Sequence, residues 1–213
     1  PDFQRLACSG FGQTDPSLNG IYSLRTSDGG GLRRLTTDAT IEDDPGDYSP
    51  DDTNLVYSHF QPVFDDNHQL LFDNAGLYVL KTNGSGTRKI VPCCTSPGSW
   101  SPKGNEIVFS WRPAGSDVHS TIWIVHSNGS GLRQVPLPQS LCGGSNADPA
   151  ARGCADAVWS PDGRKILFRL TTPGFGEGGD LYTVNADGTC LRQVTHDGDV
   201  EFPDWGTHPP ARR

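Results

Sequence analysis

Apolar positions in this chain fall in short runs, each closed by a turn signal. The run Val158-Trp-Ser-Pro-Asp-Gly-Arg-Lys-Ile-Leu-Phe168 shows the pattern best. It reads as a strand end, a Pro-Asp-Gly turn and a second strand with apolar residues at its centre. Proline pre-sets φ, aspartate caps its own backbone and glycine tolerates positive φ. The unit recurs as Gly98-Ser-Trp-Ser-Pro-Lys-Gly-Asn-Glu-Ile-Val-Phe109 and, more loosely, as Gly46-Asp-Tyr-Ser-Pro-Asp-Asp-Thr-Asn-Leu-Val-Tyr57. A second unit alternates with it: Ile21-Tyr-Ser-Leu-Arg-Thr-Ser-Asp-Gly-Gly30, Leu77-Tyr-Val-Leu-Lys-Thr-Asn-Gly-Ser-Gly86, Ile122-Trp-Ile-Val-His-Ser-Asn-Gly-Ser-Gly131 and Leu181-Tyr-Thr-Val-Asn-Ala-Asp-Gly-Thr-Cys190. Each is a strand entering an Asp-Gly or Asn-Gly hairpin signal. Each leads into a further short strand, at 32–36, 88–91, 132–135 and 191–195.

The repeat therefore has a period of roughly 45–60 residues and four strands, which we call A to D. Periods of about that size mark propellers or solenoids. Strands B, C and D each occur four times. Strand A occurs internally three times, ending at Tyr48, Trp100 and Trp159. A fourth copy stands near the other end, in Glu201-Phe-Pro-Asp-Trp-Gly-Thr-His-Pro-Pro210, while Pro1-Asp-Phe-Gln-Arg-Leu-Ala7 reads as the rest of that turn and its strand B. The pattern predicts an all-β, four-bladed propeller in one domain. Its blades are 1–37 with 200–213, 43–92, 96–136 and 155–196, and the ring closes by pairing of the C-terminal strand with the N-terminal blade. A cut from a longer ring of six to eight blades is the alternative. Closure removes unpaired sheet edges.

These units resemble the repeats of TolB-type, WD40-like β-propellers: a Trp-Ser-Pro-Asp-Gly turn, an apolar strand, an Ile-Tyr strand, an Ala-Asp-Gly turn and a Leu-Thr strand. The resemblance covers nearly the whole chain. It implies a propeller fold and an interaction role in the cell envelope or outside the cell. TolB-like proteins carry more blades and an N-terminal α/β domain, which this sequence does not show. The same repeat forms the propeller of prolyl-oligopeptidase-like enzymes, whose hydrolase domain has no counterpart here.

Composition narrows the class. With 213 residues the chain is long enough to bury a core. It has 26 Gly and 17 Pro, as many short strands joined by turns require. No apolar run of about 18 residues is present, so no membrane span is expected. Six Cys and no Met point to a processed, exported chain in an oxidising compartment, extracellular or periplasmic. Cys142 and Cys154 flank a Gly/Ser/Ala/Pro stretch and are expected to staple it. For Cys8, Cys93, Cys94 and Cys190 the pairing stays open. A vicinal Cys93–Cys94 bond is one option, and bridges from either to Cys8 or Cys190 are the favoured one. Cysteine and histidine spacing gives no thiolate metal site. Asn83-Gly-Ser85 and Asn128-Gly-Ser130 match the N-glycosylation pattern but fall on the hairpin position held by Asp28 and Asp187, so a turn role is expected.

Four antiparallel strands per blade send the A–B and C–D turns to one face and every long connection to the other. The long connections are 10–20, 37–46, 60–76, 92–97, 111–121, 137–156, 170–180 and 196–201. They hold 16 of the 25 acidic residues against Arg112 and Arg152, while the rest of the chain holds 9 acids and 15 bases. The net charge of −8 is thus a two-sided distribution, and the long-connection face should repel nucleic acid.

Long loops on a rigid scaffold are where binding concentrates. Asp43, Asp44, Asp156, Asp199 and Glu201 precede strand A at three blade junctions, where they could ring the channel mouth and hold a hard, Ca²⁺-like cation. His59, His68, His119 and His196 fall on the same face, where a histidine beside carboxylates would suit acid/base or metal-assisted chemistry. Trp100, Trp159, Trp205 and Tyr48 share one repeat position, and Tyr22, Tyr78, Trp123 and Tyr182 another; both sets read as structural. Trp111, beside Arg112, falls outside both sets and is the favoured stacking or anchoring residue. Phe60, Phe64 and Phe175 are weaker candidates.

The expectation is a non-catalytic binding or assembly module that engages a protein or glycan, with no cofactor beyond that cation. Membership of a larger extracellular assembly is a further option. The alternative is a secreted glycosidase or lyase using carboxylates or histidine at the channel mouth.

Overall fold

A computed structural model of the chain describes residues 4–12, 14–37, 42–64, 70–92, 96–112, 118–172 and 176–206. The strands form four separate antiparallel sheets, each built from neighbours in sequence. The first holds β1 (Arg5–Gly10), β2 (Gly20–Arg25) and β3 (Arg33–Arg34). The second holds β4 (Glu42–Tyr48), β5 (Asn54–Phe64), β6 (Leu70–Lys81) and β7 (Arg88–Val91). The third holds β8 (Ser99–Trp100), β9 (Glu106–Trp111), β10 (Thr121–His126) and β11 (Arg133–Gln134). The fourth holds β12 (Cys154–Trp159), β13 (Lys165–Thr172), β14 (Gly176–Asn185) and β15 (Arg192–Gln193). One 3₁₀ turn, Pro16–Leu18, is capped by Asp15. This is a four-bladed β-propeller, as the repeat pattern predicts.

The turns hold by the chemistry read from the sequence. In the fourth blade Ser160 Oγ donates to Asp162 Oδ1 at 2.7 Å, and Arg164 N–H donates to the same oxygen at 3.0 Å. On the C–D hairpins, Asp28, Asn83, Asn128 and Asp187 each accept a bond from the N–H two residues on. Two turn positions break the repeat. Cys190 adopts φ 57° where Gly31, Gly86 and Gly131 have φ 63°, 68° and 66°, and Asp52 adopts φ 56° where Gly104 and Gly163 have φ 83° and 63°. A side chain in the left-handed region costs about 1 kcal/mol that glycine avoids. Cys190→Gly and Asp52→Gly should therefore each raise stability by about 0.5–1 kcal/mol, read as a higher midpoint in urea with an unchanged slope.

Blades meet through three apolar clusters. Ile21, Leu35, Leu55, Tyr57 and Leu80 join the first and second blades. Val56, Leu77, Val79, Ile107, Phe109 and Val125 join the second and third. Val108, Ile122, Ile124, Ile166, Phe168 and Val184 join the third and fourth. Near the axis the A strands are tied by hydrogen bonds. Trp100 N–H donates to Asp47 Oδ2 at 3.0 Å, and Trp159 N–H donates to Ser99 Oγ at 3.1 Å. Gly46 permits the approach, because a Cβ there would lie 2.1 Å from the Gly98 carbonyl oxygen.

The fourth seam differs. Leu6 occupies the repeat position of Leu55, Ile107 and Ile166, which are fully buried, yet it is 54% exposed. Val194 occupies the position of Leu35, Val91 and Val135 and is 49% exposed. The expected pairing of the segment 201–210 with β1 is not part of the ladder among the described residues, and the first sheet there has three strands. The segment nevertheless carries features of strand A. Phe202 has φ 45°, matching φ 54° at Asp156, its counterpart in the fourth blade, and Asp204 lies close enough to Asp47 to help raise its pKa. Pro203 has no N–H to offer a neighbour, and Trp205 N–H is taken by its own neighbour, Asp204 Oδ1, at 2.7 Å.

Candidate binding surface on the long-connection face

Two connections expected as loops are continuations of strands. β5 and β6 stay paired to Phe64↔Leu70, past a bulge between His59 and Gln61, and β13 and β14 stay paired to Thr172↔Gly176. Val63, Phe64, Leu70, Leu71 and Phe72 are strand formers, which explains the extension. The second and fourth blades thus project hairpins beyond their neighbours on this face.

The third blade bears a tethered loop. Cys142 and Cys154 are bonded, with Cα atoms 5.6 Å apart across a separation of 12 residues, as expected from their spacing. His119 N–H donates to Gly144 O at 2.9 Å, Cys154 N–H to Ser120 O at 2.8 Å, and Thr171 N–H to Gly153 O at 2.9 Å. His119 is buried, so this candidate belongs to the framework of the loop. Cys8 and Cys190 carry free thiols, which corrects the expected bridges to Cys93 or Cys94. Cys190 is exposed on a hairpin turn and Cys8 lies inside β1 opposite Tyr22. Cys93 and Cys94 lie outside the described residues, as do His68 and Phe175, and so does the side chain of Phe64.

The channel-mouth carboxylates are drawn to separate partners. Asp43 is 3% exposed, and its Oδ1 is 2.6 Å from His59 Nδ1. The His59 ring rests against Tyr78 at 4.7 Å between centroids and meets Tyr57 edge-on. Ser9 of the first blade donates to the Asp43 carbonyl and to Asp44 Oδ1, both at 3.1 Å. Burial pushes the Asp44 carboxyl above the usual range; the Ser9 bond opposes this and the Asp43 charge adds to it. Burial, with Asp43 next, raises the Tyr57 hydroxyl well above its ordinary value. Asp156 pairs with Arg169 at 2.6 Å, and Arg169 also donates to Gly178 O at 2.8 Å. Asp180 accepts from Gln193 and from Gly198 N–H. Asp199 and Glu201 are exposed.

Among the described residues no group of three or more His, Cys, Asp or Glu side chains is placed to hold a metal ion. The expected convergence of Asp43, Asp44, Asp156, Asp199 and Glu201 is therefore corrected: bonds to His59 and Arg169 within their own blades, and to Ser9 of the first blade, claim three of them. Asp47, which accepts the Trp100 N–H across the seam, keeps an exposed residue surface while its carboxyl is surrounded by protein. Desolvation raises its pKa, the Ser99 and Trp100 bonds oppose the rise, and Asp204 adds to it.

The aromatic candidates are redistributed. Trp111 is half-buried, with Phe109 at 6.4 Å and Trp123 at 4.9 Å, so much of its ring is already committed. Phe60 is buried, whereas Arg112 and His196 are exposed. Trp123, which reads as structural in the sequence, lines a cleft of about 320 Å³ instead. The other walls are Thr121 beside it, Gln134 on the paired strand, and Val118, Leu137, Gln139, Cys142 and Gly143 from the two long connections of that blade. The signal for it is a break in the repeat: Tyr, Tyr, Trp, Tyr along one strand position, with a disulfide loop next to the Trp. No described helix is long and apolar enough to cross a membrane.

No protein-family model and no curated protein sequence matches the chain. Solved structures do. The protein assigned as TolB in Agrobacterium tumefaciens superposes with a TM-score of 0.66 at 20% identity, over 91% of this chain and 61% of that one. Hydrazine synthase of Kuenenia stuttgartiensis superposes with 0.65 at 15% identity, over 92% of this chain and 32% of that one. A prolyl endopeptidase gives 0.58 at 16% identity, over 93% of this chain and 29% of that one. The chain thus spans less than two thirds of the length of each. With the four antiparallel sheets and the repeated turns, the likeness assigns the architecture: the chain has the TolB-like β-propeller fold, in four blades.

Proposed function

We propose that this protein is an exported, non-catalytic binding or assembly module that engages a protein or glycan partner with its long-connection face. The observation that carries this reading is the two-faced construction. Tight hairpin turns cover one face, while the other presents two extended hairpins and a disulfide-tethered loop on a rigid scaffold. The disulfide supports an oxidising compartment. Asp15, Asp148, Asp197, Asp199 and Glu201 remain exposed on that face, so its charge favours partners with basic groups at the rim.

Orientation tests the reading. Protein held to a sensor through the Cys190 thiol, on the turn face, should bind members of a panel of basic peptides and glycans. Protein held through Asp199→Cys in a Cys190→Ser background should bind the same members at least tenfold less. Equal binding in both orientations would sink the proposal.

A catalytic reading has one observation in its favour, the Asp43–His59 hydrogen bond, since a carboxylate fixes the imidazole tautomer. It requires turnover of a polysaccharide or peptide by the purified chain that His59→Gln abolishes.

A further inference from the structure

In each blade the aromatic residue on strand C faces a strand-D neighbour across the ladder: Tyr22↔Arg34, Tyr78↔Lys89, Trp123↔Gln134 and Tyr182↔Gln193. Three of these neighbours are committed. Arg34 lies over Tyr22 at 5.8 Å and Lys89 over Tyr78 at 5.2 Å, while Gln193 donates to Asp180 and to Thr195 O. The third blade is different on each count. Its aromatic is the largest, no cation lies over it among the described residues, and the exposed Gln134 amide makes no hydrogen bond there. Gln139, across the cleft in the tethered loop, is likewise exposed and unbonded among the described residues. Trp123 itself is held in orientation, because its Nε1–H donates to Thr121 Oγ1 at 2.9 Å.

The described lining carries no charge, which favours a neutral ligand over phosphate, uronate or ammonium. An indole flanked by two uncommitted amides, each both donor and acceptor, suits a ligand with an apolar face and a rim of hydroxyls. A volume of about 320 Å³ stands at the small end of ligand sites, enough for one sugar ring and too little for a folded partner. We propose that this cleft binds one neutral pyranose unit of a glycan, stacked against Trp123 and hydrogen-bonded by Gln134 and Gln139. The inference rests on the binding-module reading and names its ligand class. The Cys142–Cys154 bond holds one wall of the cleft in place.

The test is a titration of the full chain with neutral oligosaccharides, hexose and N-acetylhexosamine series, followed by ligand-observed NMR. The paired variant Gln134→Ala/Gln139→Ala removes only exposed, unbonded groups and should leave the fold intact while lowering affinity at least tenfold. Trp123→Tyr installs the residue of the other three blades and should weaken binding severalfold, with protein contacts to the ring protons reduced. Neutral-sugar binding that survives both variants unchanged would move the site elsewhere and overturn the inference while leaving the module reading intact. Absence of any neutral-sugar binding at millimolar concentration also overturns it, and the orientation experiment then judges the module reading by itself.

Discussion

Leu55→Ala is expected to destabilise the protein by about 2–5 kcal/mol, whereas Leu6→Ala, the same change at the same repeat position, should cost less than about 1 kcal/mol. Leu55 is fully buried between the first and second blades, and its removal leaves a cavity that the surrounding strands cannot close. Leu6 is 54% exposed, so most of its surface already meets water. For a domain of this size each kcal/mol corresponds to about 2–4 °C, so the two variants should separate clearly in a thermal melt. Equal effects would mean that the fourth seam is packed in solution like the other three. That outcome would place the segment 201–206 firmly in the strand-A position of the first blade.

Reduction of the Cys142–Cys154 bond is the second large effect. A loop of 12 residues closed by a disulfide contributes about 3 kcal/mol through the restricted unfolded chain. Reductant should lower the melting midpoint by about 6–12 °C. The bond also anchors the start of β12, whose Cys154 N–H is bonded to Ser120 O, so the loss should spread to the seam of the third and fourth blades. Replacing both cysteines by Ala adds a packing loss, since both side chains are buried; chemical reduction isolates the bond itself. A melt unchanged by reductant, with both thiols titrating, would show that the hydrogen bonds of the tethered loop suffice.

The two effects bear on function in different ways. Seam packing decides whether the blades hold together as one scaffold. The disulfide decides whether the third blade keeps a walled cleft on its face. A protein with intact blades and a reduced loop should melt as a propeller while losing sugar affinity, which separates scaffold from site.

Much of the architecture was legible in the order of residues, because blade formation rests on local rules. Pro-Asp-Gly and Asn-Gly turns force a reversal every ten or so residues, and alternating apolar positions choose which face of each strand is buried. The Cys142–Cys154 pair was legible for the same reason: a short stretch of small residues between two cysteines in a chain of exported type. Val63, Phe64 and Leu70–Phe72 lay within reach of the same rules, yet Asp and Asn between them read as a loop, and only pairing showed the hairpin continuing.

The rest depended on which blades face each other. Asp43, Asp44 and Asp156 look alike at two strand-A copies, but what each carboxylate does is set by residues distant in sequence: His59 across the ladder, Ser9 from the preceding blade, Arg169 on the next strand. Trp111 stood outside the repeat and looked free, while Trp123 stood inside it and looked structural. Packing reversed them: the two rings meet each other and both are half-buried, yet only Trp123 lines a cleft. Sequence by itself determined the repeated strands of each blade's core, the turns, the blade count and the disulfide of this protein, through interactions that span one hairpin. Tertiary structure alone decided the exposed seam at Leu6 and Val194, the dispersal of the carboxylates and the cleft beside Trp123, because burial and partnership are properties of what lies opposite in space.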